Sequence, residues 1–329
     1  MIQLLPIFQL VAGLAMLIIG AELVVRGASR IATAAGISSF VVGLTVVAFG
    51  TSAPELGGSL GAAIKGNSEL AISTIVGSNI ANILLILGMT ALFCPIVVKF
   101  KVVRREVIQM IAVTVIAMAL MIGDTIPRLG GVLLFLGLLG FVVRSYINGK
   151  SDPEHAKEME AAAKELVAEV TDGGKPPLLV NIVMVIVGIG LLVYGANLLV
   201  GGATAVAQMF GVSDAVIGLT LVAFGTSVPE LSLSVIAALR KESDIAIGNI
   251  LGSNIFNILC VLGITAMVSP SLLEVPEGMW SRDLWVMLGA SLACLPLFLV
   301  GGKITRAEGF LLLGLYCVYM GVVFVMGGR

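Results

Sequence analysis

GLTVVAFGTSAPEL, residues 43 to 56, returns almost unchanged as GLTLVAFGTSVPEL at residues 218 to 231, with 12 of 14 positions identical at an offset of 175. Each copy places a helix-breaking proline and a glutamate, Pro54 with Glu55 and Pro229 with Glu230, inside an apolar run. The register holds outward from it. GSNIANILLILG (77 to 88) aligns with GSNIFNILCVLG (252 to 263), and GAELVVRGA (20 to 28) with GANLLVGGA (195 to 203), again at 175. Composition bias does not keep one register across three segments, so the halves read as copies of one unit.

Of the 329 residues 58% are apolar and 12% charged, and the mean hydropathy of +1.11 lies far outside the soluble globular range. The chain is expected in a lipid bilayer. A net charge of −1 without a basic, aromatic-interleaved stripe gives no reason to expect nucleic acid. The N-terminal MIQLLPIFQLVAGLAMLIIGA lacks a basic n-region and a cleavage site, so it reads as a first span. Cys94, Cys260, Cys294 and Cys317 lack zinc or redox spacing and read as buried small hydrophobes. His155, the only histidine, falls in the polar centre, which leaves enzymatic hydrolysis without a base in the membrane. No enzyme, cofactor or obligatory protein partner is expected.

A span needs about 20 apolar residues. Ten fit, near 4 to 25, 37 to 63, 69 to 94, 103 to 123, 128 to 147, 178 to 200, 212 to 238, 244 to 269, 284 to 301 and 307 to 326. The expected fold is an all-α integral membrane protein. Its first five-helix repeat covers 1 to 147, an amphipathic linker 148 to 177 and a second repeat 178 to 329. The linker's stripe is Met159, Ala163, Leu166, Val167 and Val170. Five spans per half make the second repeat enter from the opposite side, so the repeats are inverted. With both termini outside, 15 Lys and Arg residues fall in cytoplasmic segments against four outside, which places the linker in the cytoplasm.

Proline cannot donate to the carbonyl four residues back, so the Gly50 and Gly225 C=O groups lose their helical partner in mid-membrane. Such a break is tolerated only against protein or a polar cavity. Thr51 and Ser52 lie four and three residues before Glu55 and share its face. Ser78, Asn79 and Asn82 lie on one face of the next helix, and Ser253, Asn254 and Asn257 repeat them. An inverted pair would bring two carboxylates, hydroxyls, amide oxygens and freed carbonyls together, an all-oxygen set suited to a hard cation. Two carboxylates about 5 Å apart repel by about 3 kcal/mol at an effective dielectric of 20, and a divalent ion would neutralise both. A packing kink alone explains the glycines and hydroxyls but not a glutamate in each copy.

At G-T-S-x-P-E followed by G-S-N-x-x-N the chain resembles the sodium/calcium exchanger family, over essentially its whole length. The resemblance implies ten helices, with first and sixth helices that slide to alternate access. It makes Glu55 and Glu230 the principal ligands of calcium and sodium. Thr51, Ser52, Thr226 and Ser227 would add oxygens, as would the backbones of Ala48 and Ala223, while Ser78, Asn82 and Ser253 would complete sodium sites. Asn257 stands where many family members have aspartate, which bears on stoichiometry and electrogenicity. Glu22, four residues before Arg26, reads as half of an interfacial ion pair. Glu69 and Asp244 open the third and eighth spans, where an acid suits the helix N-terminus.

The expected protein is a Ca2+/Na+ antiporter of a bacterial or archaeal inner membrane. A proton-coupled calcium antiporter of the same fold is the alternative, and a passive cation channel fits less well with an inverted pair of broken helices.

Overall fold

The computed structural model describes residues 4–150, 177–210, 223–299 and 302–327. It is predominantly helical. In chain order the helices are α1 (Leu4–Ala35), α2 (Ser39–Thr51), α3 (Ala53–Ile64), α4 (Ser68–Phe93), α5 (Phe100–Leu120) and α6 (Arg128–Lys150). After these come α7 (Leu178–Met209), α8 (Val228–Leu239), α9 (Ser243–Val268), α10 (Asp283–Leu299) and α11 (Arg306–Gly327). A single turn, Ala223–Gly225, precedes α8. Among the described residues six helices are long and apolar enough to cross a membrane, or seven if α2 and α3, bent by 42°, count as one span. The body of the 148 to 177 linker, with His155 and the apolar stripe, lies outside the described residues.

The all-α expectation needs one correction. Four two-residue strands occur, β1 (Ile96–Val97), β2 (Thr125–Ile126), β3 (Leu273–Glu274) and β4 (Lys303–Ile304), and β1 pairs antiparallel with β4, β2 with β3. Short connections at helix ends leave backbone groups that need partners, and pairing two connections supplies them. The span boundaries also shift. α1 and α7 each run 32 residues, past the expected ends at 25 and 200. Arg26 does not end α1, since arginine is a good helix former; its Nε meets Glu22 Oε1 at 2.5 Å and Arg240 joins the same carboxylate at 2.7 Å. The expected Glu22–Arg26 pair is thus present and extended.

The chain forms two compact units, Met1–Thr51 with Leu139–Asn249, and Ser52–Leu138 with Ile250–Arg329. In the first, α1 and α7 pack along their length through glycines. A Cβ on Gly13 would lie 2.7 Å from the Gly195 carbonyl, and one on Gly20 2.7 Å from that of Gly188. Gly27 stands likewise 2.9 Å from the Asn181 carbonyl, and Gly202 2.8 Å from that of Pro6. Residue numbers rise on one helix as they fall on the other, so the pair is antiparallel. Shifted by 175, residues 6, 13, 20 and 27 become 181, 188, 195 and 202, so each contact has its exchanged twin. That reciprocity is the mark of a local twofold.

The second unit holds α3, α4, α5, α10, α11, the four strands and the adjoining parts of α6 and α9. Here too glycine meets glycine across helices. Gly309 faces the Gly88 carbonyl at 2.7 Å, joining α11 to α4, and Gly131 faces that of Gly263 at 2.6 Å, joining α6 to α9. α11 opens with a capping box, in which the Thr305 N–H donates to Glu308 Oε2 and the Glu308 N–H to Thr305 Oγ1.

Exposed surface in this protein is largely apolar, for example Leu14, Ile18, Leu133, Ile186, Phe310 and Val318. In a bilayer that face meets hydrocarbon. The cysteines divide accordingly: Cys260 and Cys294 are buried, but Cys94 is half-buried and Cys317 exposed, against the expectation that all four lie inside. A weakly polar thiol loses little by facing lipid.

Candidate functional site

Both glutamates sit just after a helix break. Ser52 (φ −81°, ψ 6°) separates α2 from α3, and Pro54 and Glu55 occupy the first turn of α3. Ser227 (φ −89°, ψ 0°) does the same before α8, with Pro229 and Glu230 in its first turn. Proline is well placed there, since the first turn has no acceptor for its missing N–H. The Glu55 carboxylate also stands at a helix N-terminus, where the dipole favours an anion. Glu55 and Glu230 are 0% and 1% exposed.

In the second unit Ser78 Oγ donates to Glu55 Oε1 at 3.3 Å, and Asn257 Nδ2 donates to Ser78 Oγ and Asn79 Oδ1, each at 3.1 Å. Glu55, Ser78 and Asn257 are thus linked, a carboxylate of one repeat to an amide of the other. Ser52, Asn82, Ser253 and Asn257 are all buried. Ser52 Oγ, Ser253 Oγ, Asn82 Oδ1 and Nδ2, and Asn257 Oδ1 have no hydrogen-bond partner among the described residues. α4 and α9 carry π-helical turns over Asn82–Leu87 and Asn257–Leu262, each opening on the candidate asparagine at the 175 offset. π-turns are rare and frequent at functional sites.

In the first unit Thr51 and Ala48 are fully buried, and Thr51 Oγ1 lies 3.3 Å from the Ala48 carbonyl and 3.1 Å from Asn249 Oδ1. Asn249 Nδ2 donates to Ser234 Oγ at 3.1 Å and to the Glu230 carbonyl at 3.5 Å. Ser227 is buried and Thr226 half-buried, while Ala223 opens the turn before them. Asn249 and Ser234 were not singled out in the sequence. The signal for Ser234 is its repeat counterpart Ser59, also fully buried; Asn249 has only Thr74 opposite it, so no repeated motif marks it.

Glu69 and Asp244 lie in the first turns of α4 and α9, as expected. Between α8 and α9, Glu242 accepts from Ser29 Oγ at 3.0 Å. Burial pushes its carboxyl above the usual range, the Ser29 hydrogen bond works against that, and Asp244 adds to it.

Among the described residues no three His, Cys, Asp or Glu side chains cluster. Instead, each unit sets one fully buried glutamate, Glu55 or Glu230, among neutral hydroxyl and amide groups of its own. Buried acids and amides on broken and π-bulged helices, inside an apolar multi-span protein, are features expected of a membrane transporter. The chain belongs to the sodium/calcium exchanger family, whose model matches residues 5–147 and 180–325. It is therefore a transmembrane antiporter of that family. It is 41% identical to CaxA of Alkalimonas amylolytica over 97% of this chain and 98% of that protein. It is 36% identical to the inner membrane protein YrbG of Escherichia coli over 94% and 96%. A structure of the sodium-calcium exchanger NCX_Mj soaked with Na+ and Sr2+ matches with a TM-score of 0.81 at 31% identity, covering 97% and 98% of the two chains.

Proposed function

We propose that the chain exchanges Ca2+ for Na+ by alternating access. The ligands are Glu55, Glu230, Thr51, Thr226, Ser52, Ser227, Ser78, Ser253, Asn82 and Asn257, with the Ala48 and Ala223 carbonyls. The observation that carries this reading is the set of buried, unpartnered oxygens on Ser52, Ser253, Asn82 and Asn257. A buried polar group without a partner costs about 1–3 kcal/mol, and a bound cation would satisfy several at once. These oxygens are neutral, so they do not exchange protons near neutral pH but do suit Na+ beside a carboxylate. The family and the exchanger structure support the same pair of ions.

The proposed framework has ten spans in two inverted repeats, 1–147 and 178–329, joined by a cytoplasmic linker, with both termini outside the inner membrane. The exchanged glycine contacts of α1 with α7 support the inversion. The test is calcium uptake into sodium-loaded proteoliposomes at equal pH on both sides, with voltage clamped by an ionophore. Uptake there, and little in proton-loaded, sodium-free vesicles, is the expected result. The opposite pattern would replace sodium coupling with proton coupling. Uptake needing no counter-ion would indicate a channel.

A further inference from the structure

We propose that Asn249 is a positioning residue that turns the Thr51 hydroxyl and the Ala48 carbonyl toward the transported cation, so that the two repeats contribute unequally to the site. This rests on the site proposed above. A hydroxyl has one proton to donate, and Thr51 has two acceptors within reach, the Ala48 carbonyl at 3.3 Å and Asn249 Oδ1 at 3.1 Å. Donation to Ala48 would occupy that carbonyl with a hydrogen bond. Donation to Asn249 leaves both the carbonyl and the hydroxyl lone pairs for a cation.

The Asn249 amide is held in the orientation this needs. Its Nδ2 donates to Ser234 Oγ and the Glu230 carbonyl, which points Oδ1 at Thr51. Asn249 and Ser234 are both 0% exposed, so water does not compete for these bonds. At the matching place in the first repeat stands Thr74, whose hydroxyl donates to the Leu70 carbonyl of its own helix at 2.8 Å. A threonine occupied in that way offers no amide oxygen to a neighbouring hydroxyl. Thr226, the counterpart of Thr51, is half-buried where Thr51 is fully buried.

The experiment is a double-mutant cycle on sodium-dependent calcium uptake in proteoliposomes, reading the half-saturating Na+ concentration and the maximal rate separately. Asn249→Ala is expected to raise the half-saturating Na+ concentration by about three- to tenfold, the worth of one hydrogen bond, with a smaller change in maximal rate. In a Thr51→Val background, without the hydroxyl, the same substitution should add almost nothing, whereas a Thr51→Ser background should preserve its effect. Asn249→Thr, the residue of the other repeat, should shift half-saturation like Asn249→Ala and serves if the alanine variant folds poorly. Equal shifts in all three backgrounds, or a fall in maximal rate with half-saturation unchanged, would overturn the role. Glu55→Gln and Glu230→Gln measured in parallel separate the two proposals. If they retain transport the site itself is wrong; if they abolish it while the cycle is additive, only the positioning role fails.

Discussion

Glu55 and Glu230 are buried where an ionised carboxylate is costly, and a glutamine at either place keeps the shape while removing half the formal charge that could meet a divalent ion. Glu55→Gln and Glu230→Gln should each reduce calcium flux to less than about a tenth, since contacts to charged groups are worth about 1.5–3 kcal/mol. Protein yield and melting temperature should stay near those of the parent. Normal flux in either variant would remove that residue from the site. Asn257 makes a sharper case, because its Nδ2 donates to both Ser78 and Asn79 while Ser78 reaches Glu55. An ionised aspartate cannot donate those bonds and adds a second negative charge to the same chain of contacts. A carboxylate there, unlike the amide, can take up a proton in competition with a cation. Calcium flux of Asn257→Asp is therefore expected to fall more steeply than the parent's as pH is lowered from about 8 to about 5. A pH profile that superposes on the parent's would count against that linkage.

At the level of elements, the same physics that weakens a helix is used to open it. Proline after Ser52 and Ser227 interrupts the backbone ladder beside each glutamate, and the π-turns at Asn82 and Asn257 loosen it on α4 and α9. The long helices α1 and α7 are joined without side chains at their closest points, which membrane packing favours. Gly13→Val should force backbone against backbone at Gly195, where even a Cβ would come within 2.7 Å. The expected result is a clear fall in the melting temperature of the detergent-solubilised protein. Gly190→Ala, on the same α7 but with nothing within 4 Å, should leave it unchanged or slightly raised. Equal effects of the two substitutions would mean that the glycine contacts do not hold α1 to α7.

For the whole molecule, the proposed inversion has a direct consequence for the turns that follow α3 and α8. Lys65 and Arg240 are counterparts at offset 175, and both Lys65 and the adjacent Lys241 are exposed. Inverted repeats put them on opposite sides of the membrane. In a background without the four native thiols, Lys65→Cys is expected to react with an impermeant maleimide from outside intact cells, and Lys241→Cys only after the cytoplasmic face is opened. Labelling of both from one side would rule out inversion, and the reverse pattern would overturn the charge-based orientation.

Much of this was legible in one dimension because it rests on periodicity and chemistry. Hydropathy marks the spans, the 175-residue register marks the duplication, and Glu55, Glu230, Ser78, Ser253, Asn82 and Asn257 stand out because polar groups are costly in lipid and here recur in pairs. Local signals did not reveal where helices end. α1 runs on through Arg26, whose guanidinium pairs with Glu22, and the same carboxylate also takes Arg240 from more than two hundred residues away. The two strand pairs likewise join connections from distant parts of the chain. Asn249 was hidden for the same reason. With Thr74 at its repeat position it leaves no mark in the register, and its partners Thr51, Ser234 and Glu230 reach it only through packing. A hydrogen bond depends on distance and direction in space, and those are decided by tertiary structure.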